Sequence, residues 1–235
     1  MNWFIRNRSF TNTANRFVDA VTPPFIRDSR WFCWLLYYAF FKDKTSLYFN
    51  FRRDMHKLSK EEYKQYYHDT ADLVTRPTDL NQKCFNKLIQ DIQNTQVLEV
   101  GCGRGALALE LKKKNSVTVC DIIIADDLKK EEKITCFETE IESLPFPDKS
   151  FKTTVCTHTL EHVLRFEKCL AELRRVTQEK IYIVVPLQRP YRCTPDLHVN
   201  YFPYPESFLV RALPKTGAYT YDVFDGDLYY VETQI

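Results

Sequence analysis

Residues 97–111 encode a strand, a glycine-rich turn and a helix in immediate succession. The run Val-Leu-Glu-Val suits a buried parallel strand, and the Ala- and Leu-rich run after the turn has high helix propensity. Three of the five glycines in the chain, Gly101, Gly103 and Gly105, lie in this turn. In a chain with so few glycines, the clustering indicates positive φ angles and a ligand that approaches where a Cβ atom would collide. The stretch therefore predicts a ligand-binding turn at the carboxyl end of a parallel strand.

The glycine spacing separates this turn from a dinucleotide-binding loop. Such a loop reads G-x-G-x-x-G, which would place the third glycine at position 106, where this chain has Ala106. With Glu99 two residues before the first glycine, the segment reads Glu-x-Gly-x-Gly-x-Gly. It resembles motif I of the class I S-adenosylmethionine (SAM) methyltransferases. A tight turn that binds nothing is the alternative, but it leaves the motifs that follow unexplained.

Length and charge favour one α/β domain with a basic extension at its amino end. The 235 residues are 44% hydrophobic, enough to bury a sizeable core. The net charge of +2 hides an asymmetry, because residues 1–60 hold 11 of the 33 Lys/Arg but only 4 of the 31 Asp/Glu. We therefore predict an extension over 1–60 and a SAM-binding domain over 61–235.

The eight cysteines include no C-x-x-C pair, so we expect reduced thiols in a cytoplasmic protein and neither a disulfide frame nor a zinc site. The polar start of the chain carries no secretory signal pattern. The most hydrophobic stretch, residues 31–41, is 11 residues long, whereas a membrane-spanning helix needs about 20.

The extension combines basic and aromatic residues. Pro23-Pro24 is predicted to divide it into two short helical pieces. Three roles fit this composition: packing as a lid, peripheral contact with a membrane, or a dimer contact through residues 31–41. Nucleic-acid binding is not expected, because the Lys and Arg residues are scattered and no recognised module is present. The sequence does not fix the oligomeric state.

The resemblance implies cofactor contacts at the ends of four strands. A predicted strand over 116–121 ends in Asp121, where a carboxylate accepts hydrogen bonds from both hydroxyls of a ribose; a helix cap is the alternative. After a third strand, over 134–138, Glu140 and Ile141 match the family positions at the adenine edge, ahead of a Leu-Pro-Phe turn; a surface acidic loop is the alternative for Glu140. A fourth strand, over 152–157, ends beside the expected position of the methyl group. The predicted cofactor-binding residues are Glu99, Gly101, Gly103, Gly105, Asp121, Glu140, Ile141 and Thr157.

The segment after the fourth strand reads His158-Thr-Leu-Glu161-His162. Its Leu-Glu-His part resembles ubiquinone-biosynthesis O-methyltransferases and small-RNA 2′-O-methyltransferases, which carry Glu-x-x-Glu-His and bind a divalent ion. Since positions i, i+3 and i+4 share one helical face, His158, Glu161 and His162, with His198, would converge on a transition metal. The alternative, which we favour, is that Glu161 and His162 brace the helix, and we predict no metal. We predict His158 as the catalytic base and His198 as a second candidate, because an imidazole titrates near neutral pH.

The remaining pattern completes an α/β sheet. A helix over 166–176 and a strand over 180–185 are followed by a polar, proline-rich loop, where the resembled family keeps its acceptor site. A helix over 205–213 and two strands flanking Asp225-Gly226-Asp227 end the pattern, and this turn predicts a hairpin. The expected fold is a Rossmann-like, mostly parallel seven-stranded sheet with an antiparallel last strand and helices on both faces. The polar loop residues are Arg189, Tyr191, Arg192, Asp196, His198, Asn200 and Tyr201.

These features predict a SAM-dependent methyltransferase that acts on a small-molecule, lipid-like or glycan acceptor, at oxygen. A non-catalytic SAM-binding subunit that docks a partner is the main alternative. A nucleotide-dependent oxidoreductase is disfavoured by the glycine spacing.

Overall fold

The structure is a computed structural model that describes residues 21–70, 77–190, 197–215 and 217–234. Its contacts divide the chain into two compact units: Met1–Arg76 with Tyr191–His198, and Pro77–Pro190 with Val199–Ile235. The helical piece predicted before Pro23 lies outside the described residues, as do the predicted loop residues Tyr191, Arg192 and Asp196. The extension boundary at residue 60 and the lid role stay predictions.

The first unit is helical and is held together by aromatic side chains. Phe51 is buried, and its ring lies 6.0 Å from that of Tyr63 and 5.3 Å from that of Tyr66. The last helix begins with a capping box, in which Ser59 Oγ accepts the Glu62 amide and Glu62 Oε2 accepts the Ser59 amide. The helices are α1 (Pro24–Arg27), α2 (Arg30–Phe41), α3 (Thr45–Asp54) and α4 (Lys60–Thr70), with 3₁₀ turns at Lys42–Lys44 and Met55–Lys57. No helix of the described part of the chain is long and apolar enough to cross a membrane.

The second unit is built on a seven-stranded sheet with the order β3-β2-β1-β4-β5-β7-β6. The first five strands pair in parallel, and β7 is antiparallel to both of its neighbours, β5 and β6. The predicted Rossmann-like sheet is therefore confirmed. The strands are β1 (Gln96–Val100), β2 (Ser116–Asp121), β3 (Ile134–Glu138), β4 (Phe151–Thr157), β5 (Thr177–Pro186), β6 (Tyr219–Phe224) and β7 (Asp227–Thr233). The helices are α5 (Gln82–Asp91), α6 (Ala106–Leu111), α7 (Asp126–Lys129), α8 (Phe166–Val176) and α9 (Pro205–Ala212).

Apolar cores lie on both faces of the sheet, since successive residues of a strand point to opposite sides. Leu98 of β1 packs with Phe166 and Phe208 of α8 and α9, whereas the adjacent Val97 packs with Leu88 of α5. Burial on both faces explains why the central strands read as nearly continuous apolar runs. The seven cysteines that the structure describes are free thiols, and most of them are buried in these cores.

The register of the sheet brings five chain segments to one edge. Val100 pairs with Cys120 and Cys156, so β1, β2 and β4 end side by side. Because β7 runs in the opposite direction, its first residue, Asp227, pairs with Pro186 at the end of β5. The carboxyl ends of parallel strands are where ligands bind in open α/β sheets.

Candidate functional site

The glycine turn joins β1 to α6 and has the backbone that the sequence predicts. Gly101, Gly103 and Gly105 have φ angles of 75°, 53° and 75°, in the region that residues with a Cβ avoid. A Cβ atom on Gly101 would lie 2.0 Å from Thr159 Oγ1, and one on Gly105 would lie 2.5 Å from Leu128. At Gly103 a Cβ would meet no atom within 4 Å. Gly101 and Gly105 therefore allow close packing within the protein, whereas Gly103 borders open space that a ligand can fill.

Asp121 lies at the end of β2 and is hydrogen bonded to this turn. Its Oδ2 accepts the Gly103 amide at 2.8 Å, and its Oδ1 accepts the Ile122 amide at 2.7 Å. Burial raises the pKa of the Asp121 carboxyl, although these backbone amides oppose the shift. Each carboxylate oxygen has a further lone pair, so the group can still accept hydrogen bonds from a ribose. Asp121, the residue predicted to bind the ribose, therefore lies directly beside Gly103.

Glu99 lies beneath the turn in β1, with 2% of its surface exposed. Burial, together with the nearby Asp121 charge, raises the pKa of Glu99 to about 8. Its Oε2 atom is buried and makes no hydrogen bond to the residues that the structure describes. A buried polar atom without a partner is costly, and a bound polar ligand can satisfy it.

These three features fit SAM. Gly103 leaves room for the close approach of a ligand, Asp121 offers acceptors for a ribose, and Glu99 offers a buried acceptor below the turn. The cofactor residues predicted at the turn and at the end of β2 therefore converge on one place.

The other predicted cofactor residues lie after β3 and at the end of β4, at the same edge of the sheet. Glu140 and Ile141 are half-buried and begin two residues after β3, whose last residue pairs with Asp121. Thr157 is buried at the end of β4, and its carbonyl accepts the Thr159 hydroxyl at 3.0 Å. Their roles in binding stay predictions.

His158 follows β4 and lies between two carboxylates. Its Nε2 is hydrogen bonded to Asp227 Oδ2 at 3.2 Å, and its Nδ1 lies 3.2 Å from Glu161 Oε1. All three side chains are almost fully buried. His158 also has a φ of 48°, which is uncommon outside glycine and marks a conformation held by its surroundings. Because nearby carboxylates favour the charged imidazolium, this geometry favours a cation that Glu161 and Asp227 hold and neutralise.

Glu161 and His162 lie in the turn after His158. A carboxylate oxygen of Glu161 and a ring nitrogen of His162 are within 4.8 Å of one another. The Glu161 carbonyl accepts the amides of Val199 and Asn200, so this turn also anchors the end of the polar loop. His198 belongs to the first unit, and both its role as a base and its role as a metal ligand stay predictions, as does the expected absence of a metal.

Two residues of this cluster were missed in the sequence. The sequence pattern assigns Asp227 to a hairpin turn, yet its carboxylate is buried and accepts hydrogen bonds from His158 and from Asn81 Nδ2, the latter at 2.9 Å. Asn81 also caps α5, with its side-chain oxygen accepting the Cys84 amide. An acid at the first position of an antiparallel strand was the available signal, since that position lies among the carboxyl ends of parallel strands.

Asp121→Ala should weaken binding of S-adenosylhomocysteine about 30-fold, because the ribose loses charge-assisted hydrogen bonds and Gly103 loses its anchor. Asp121→Asn should have an intermediate effect, since it keeps one acceptor oxygen. Asp127→Ala, at an exposed acid in α7, is the control and should bind normally. Calorimetric titration measures all three, and unchanged affinity in Asp121→Ala would remove Asp121 from the ribose role.

The raised pKa of Glu99 predicts a pH-dependent stability. Between about pH 4.5 and pH 8 the unfolded chain releases the Glu99 proton while the folded protein keeps it, so the free energy of unfolding falls as pH rises. Glu99→Gln cannot release that proton. Between pH 5 and pH 8, the free energy of unfolding of the variant should therefore rise by about 2–4 kcal/mol relative to that of the wild type. Urea denaturation of both proteins without ligand, at pH 5 and at pH 8, measures this difference. If the free energies of unfolding of the two proteins change equally with pH, Glu99 is already ionised in the folded protein.

Comparison with known proteins gives a family match over part of the chain. Residues 98–185 match the family model described as a methyltransferase domain. The chain is 26% identical over 115 residues to ajmaline N-methyltransferase of Rauvolfia serpentina and 29% identical over 113 residues to ubiquinone biosynthesis O-methyltransferase of Rickettsia conorii. These alignments cover 43% and 45% of this chain and 40% and 38% of the relatives. The chain thus spans less than half the length of these curated relatives.

The fold is similar to that of Burkholderia thailandensis 1,6-didemethyltoxoflavin-N1-methyltransferase, crystallised with 1,6-didemethyltoxoflavin and S-adenosylhomocysteine. The TM-score is 0.56 at 15% identity, over 78% of this chain and 90% of that one. At this identity the likeness shows the fold alone.

Proposed function

We propose that this chain carries a class I SAM-dependent methyltransferase domain and that the protein transfers the methyl group of SAM to a small-molecule, lipid-like or glycan acceptor, at oxygen. The observation that carries the proposal is the hydrogen bond from the Gly103 amide to Asp121, beside the open space at Gly103. This hydrogen bond holds the glycine turn next to Asp121, the residue predicted to bind the ribose, so that both can contact one cofactor.

SAM, when bound, supplies a methyl group on a positively charged sulfur, which is already an activated leaving group. The protein therefore has to hold the two reactants in line and exclude water. We propose that Asp121 and the turn hold the cofactor, with Glu140 and Ile141 at the adenine and Thr157 near the methyl group.

We propose His158 as the group that acts on the acceptor. As a neutral ring it would remove a proton from a hydroxyl, whereas as a cation it would hold an acceptor oxygen that is already anionic. Because Glu161 and Asp227 contact both ring nitrogens, either role requires that one of these contacts opens when the acceptor binds. The two roles predict opposite pH profiles, because a base works better as pH rises through its own titration and a cation works worse. His158→Gln should lower turnover in either case without weakening cofactor binding.

The acceptor atom is proposed from His158 and not from the relatives. One curated relative is named for methylation at nitrogen and the other for methylation at oxygen, at similar identity to this chain. We propose that the acceptor is a small molecule or lipid-like, and that it is reached in the cytoplasm or from its membrane surface. The polar loop that follows β5, at the same edge of the sheet, is the segment proposed to border it.

Calorimetric titration with S-adenosylhomocysteine, with and without EDTA, tests the proposal first. Micromolar binding that EDTA does not change is the expected result. Absence of binding in both conditions would overturn the assignment. Binding with no methyl transfer from radiolabelled SAM to any cell-extract fraction would favour the non-catalytic subunit instead.

A further inference from the structure

Helix α2 of the first unit is apolar on two opposite faces. Cys33 and Tyr37 are buried within the unit. The opposite face presents an exposed strip at the i, i+3, i+4 and i+7 positions of the helix. The strip residues are Trp31, Trp34, Leu35 and Tyr38, with 63%, 46%, 55% and 53% of their surfaces exposed. A helix that is apolar all round normally has both faces covered.

The net charge around this strip is positive, because residues 27–44 hold four Lys/Arg and two Asp, Asp28 and Asp43. No acid lies between Asp28 and Asp43, and the helix is bracketed by Arg30 and Lys42, both of which are exposed. Asp28 is paired with Arg27 at 3.0 Å, which lessens its effect on an approaching anion. The strip is therefore an apolar surface with a cation at each end.

This combination matches the surface of an anionic lipid bilayer. Trp and Tyr favour the boundary between acyl chains and headgroups, and basic side chains beside them attract anionic lipids. The 12 residues of α2 extend about 18 Å, so the helix can lie in the interface but cannot span it.

We propose that the exposed strip of α2 docks onto an anionic membrane surface and brings the enzyme to a lipid-like acceptor. Only the link to the acceptor rests on the proposed function; the docking itself does not. A second exposed apolar surface, formed by Val210 of α9 and by Tyr221 and Val223 of β6, has no tryptophan and lies near the acid Glu206. It therefore serves as a control.

Tryptophan fluorescence tests docking directly, because the three tryptophans of the chain are Trp3, Trp31 and Trp34. In full-length protein carrying Trp3→Phe, the emission reports the strip alone. Vesicles of phosphatidylcholine with phosphatidylglycerol should shift this emission to shorter wavelength and co-sediment the protein, whereas phosphatidylcholine alone should do so weakly. The same emission with and without anionic vesicles, together with no co-sedimentation, would overturn the proposal.

Matched variants separate docking from folding and from catalysis. Leu35→Ser with Tyr38→Ser keeps both reporters and should abolish co-sedimentation, whereas Val210→Ser with Val223→Ser should leave it unchanged. Arg30→Gln and Lys42→Gln should each weaken partitioning about fivefold. Binding of S-adenosylhomocysteine should stay normal in all of them, so failure of docking and failure of the methyltransferase assignment give different results. Light scattering that shows a dimer lost in Leu35→Ser with Tyr38→Ser, without vesicle binding, would overturn the proposal in favour of a second copy.

Discussion

Replacing Gly103 by valine should lower the affinity for S-adenosylhomocysteine by at least about 100-fold, below the range of calorimetric titration. A valine there would place its branched side chain in the open space beside Asp121, where the cofactor is proposed to lie. It would also be strained by the φ of 53°. The first effect removes binding, and the second costs about 1–2 kcal/mol of stability.

Gly217→Val is the control that separates these two effects. Gly217 also has a positive φ, 80°, and its Cβ would likewise meet no atom within 4 Å. It lies between α9 and β6, away from the glycine turn. The variant should lose similar stability but bind normally.

Gly101→Val should behave differently from both, because its Cβ would lie 2.0 Å from Thr159 Oγ1. The post-β4 turn would have to move, so this variant should lose more stability than Gly103→Val as well as binding. Retained affinity in Gly103→Val would mean that the turn is not the cofactor cradle.

The sequence predicts the sheet well where local pattern decides the structure. The strands Ser116–Asp121 and Ile134–Glu138 and the helix Phe166–Val176 have the predicted bounds, because β-branched runs and helical periodicity are local signals. β5 was predicted to begin at residue 180 but begins at Thr177. Its first residues are polar, and they are in the strand because Thr177 pairs with Phe151 and its hydroxyl contacts that of Thr154. That pairing is tertiary and leaves no local pattern.

The candidate site likewise has one part that local sequence predicts and one part that only tertiary structure brings together. The turn and Asp121 were predicted because a glycine spacing and a strand-ending acid are readable within about 25 residues. The His158 cluster was predicted only in part, since its other half, Asp227, lies 69 residues further along the chain. Only the position of β7 beside β5 brings that acid to the same edge of the sheet.

Asp227→Asn should lower the free energy of unfolding by about 3 kcal/mol. Asp227 is fully buried, and its Oδ2 accepts both Asn81 Nδ2 at 2.9 Å and His158 Nε2 at 3.2 Å. An asparagine keeps an oxygen for one of these donors, but it removes the negative charge that faces the imidazole. A buried ion pair that loses one partner leaves the other poorly solvated, which is where most of the cost arises.

Asp225→Asn is the matched control, because it makes the same chemical change two residues earlier in the same hairpin. Asp225 is exposed and pairs with Lys83 at 2.8 Å on the surface, so its replacement should cost less than about 0.5 kcal/mol. Circular dichroism should follow the unfolding, since the three tryptophans lie within the first 34 residues and report the other unit. Equal stability of the two variants would mean that the buried pair contributes nothing to the fold. A larger loss in Asp227→Asn, accompanied by slower methyl transfer at unchanged cofactor affinity, would identify Asp227 as the residue that positions His158 at the acceptor end of the sheet.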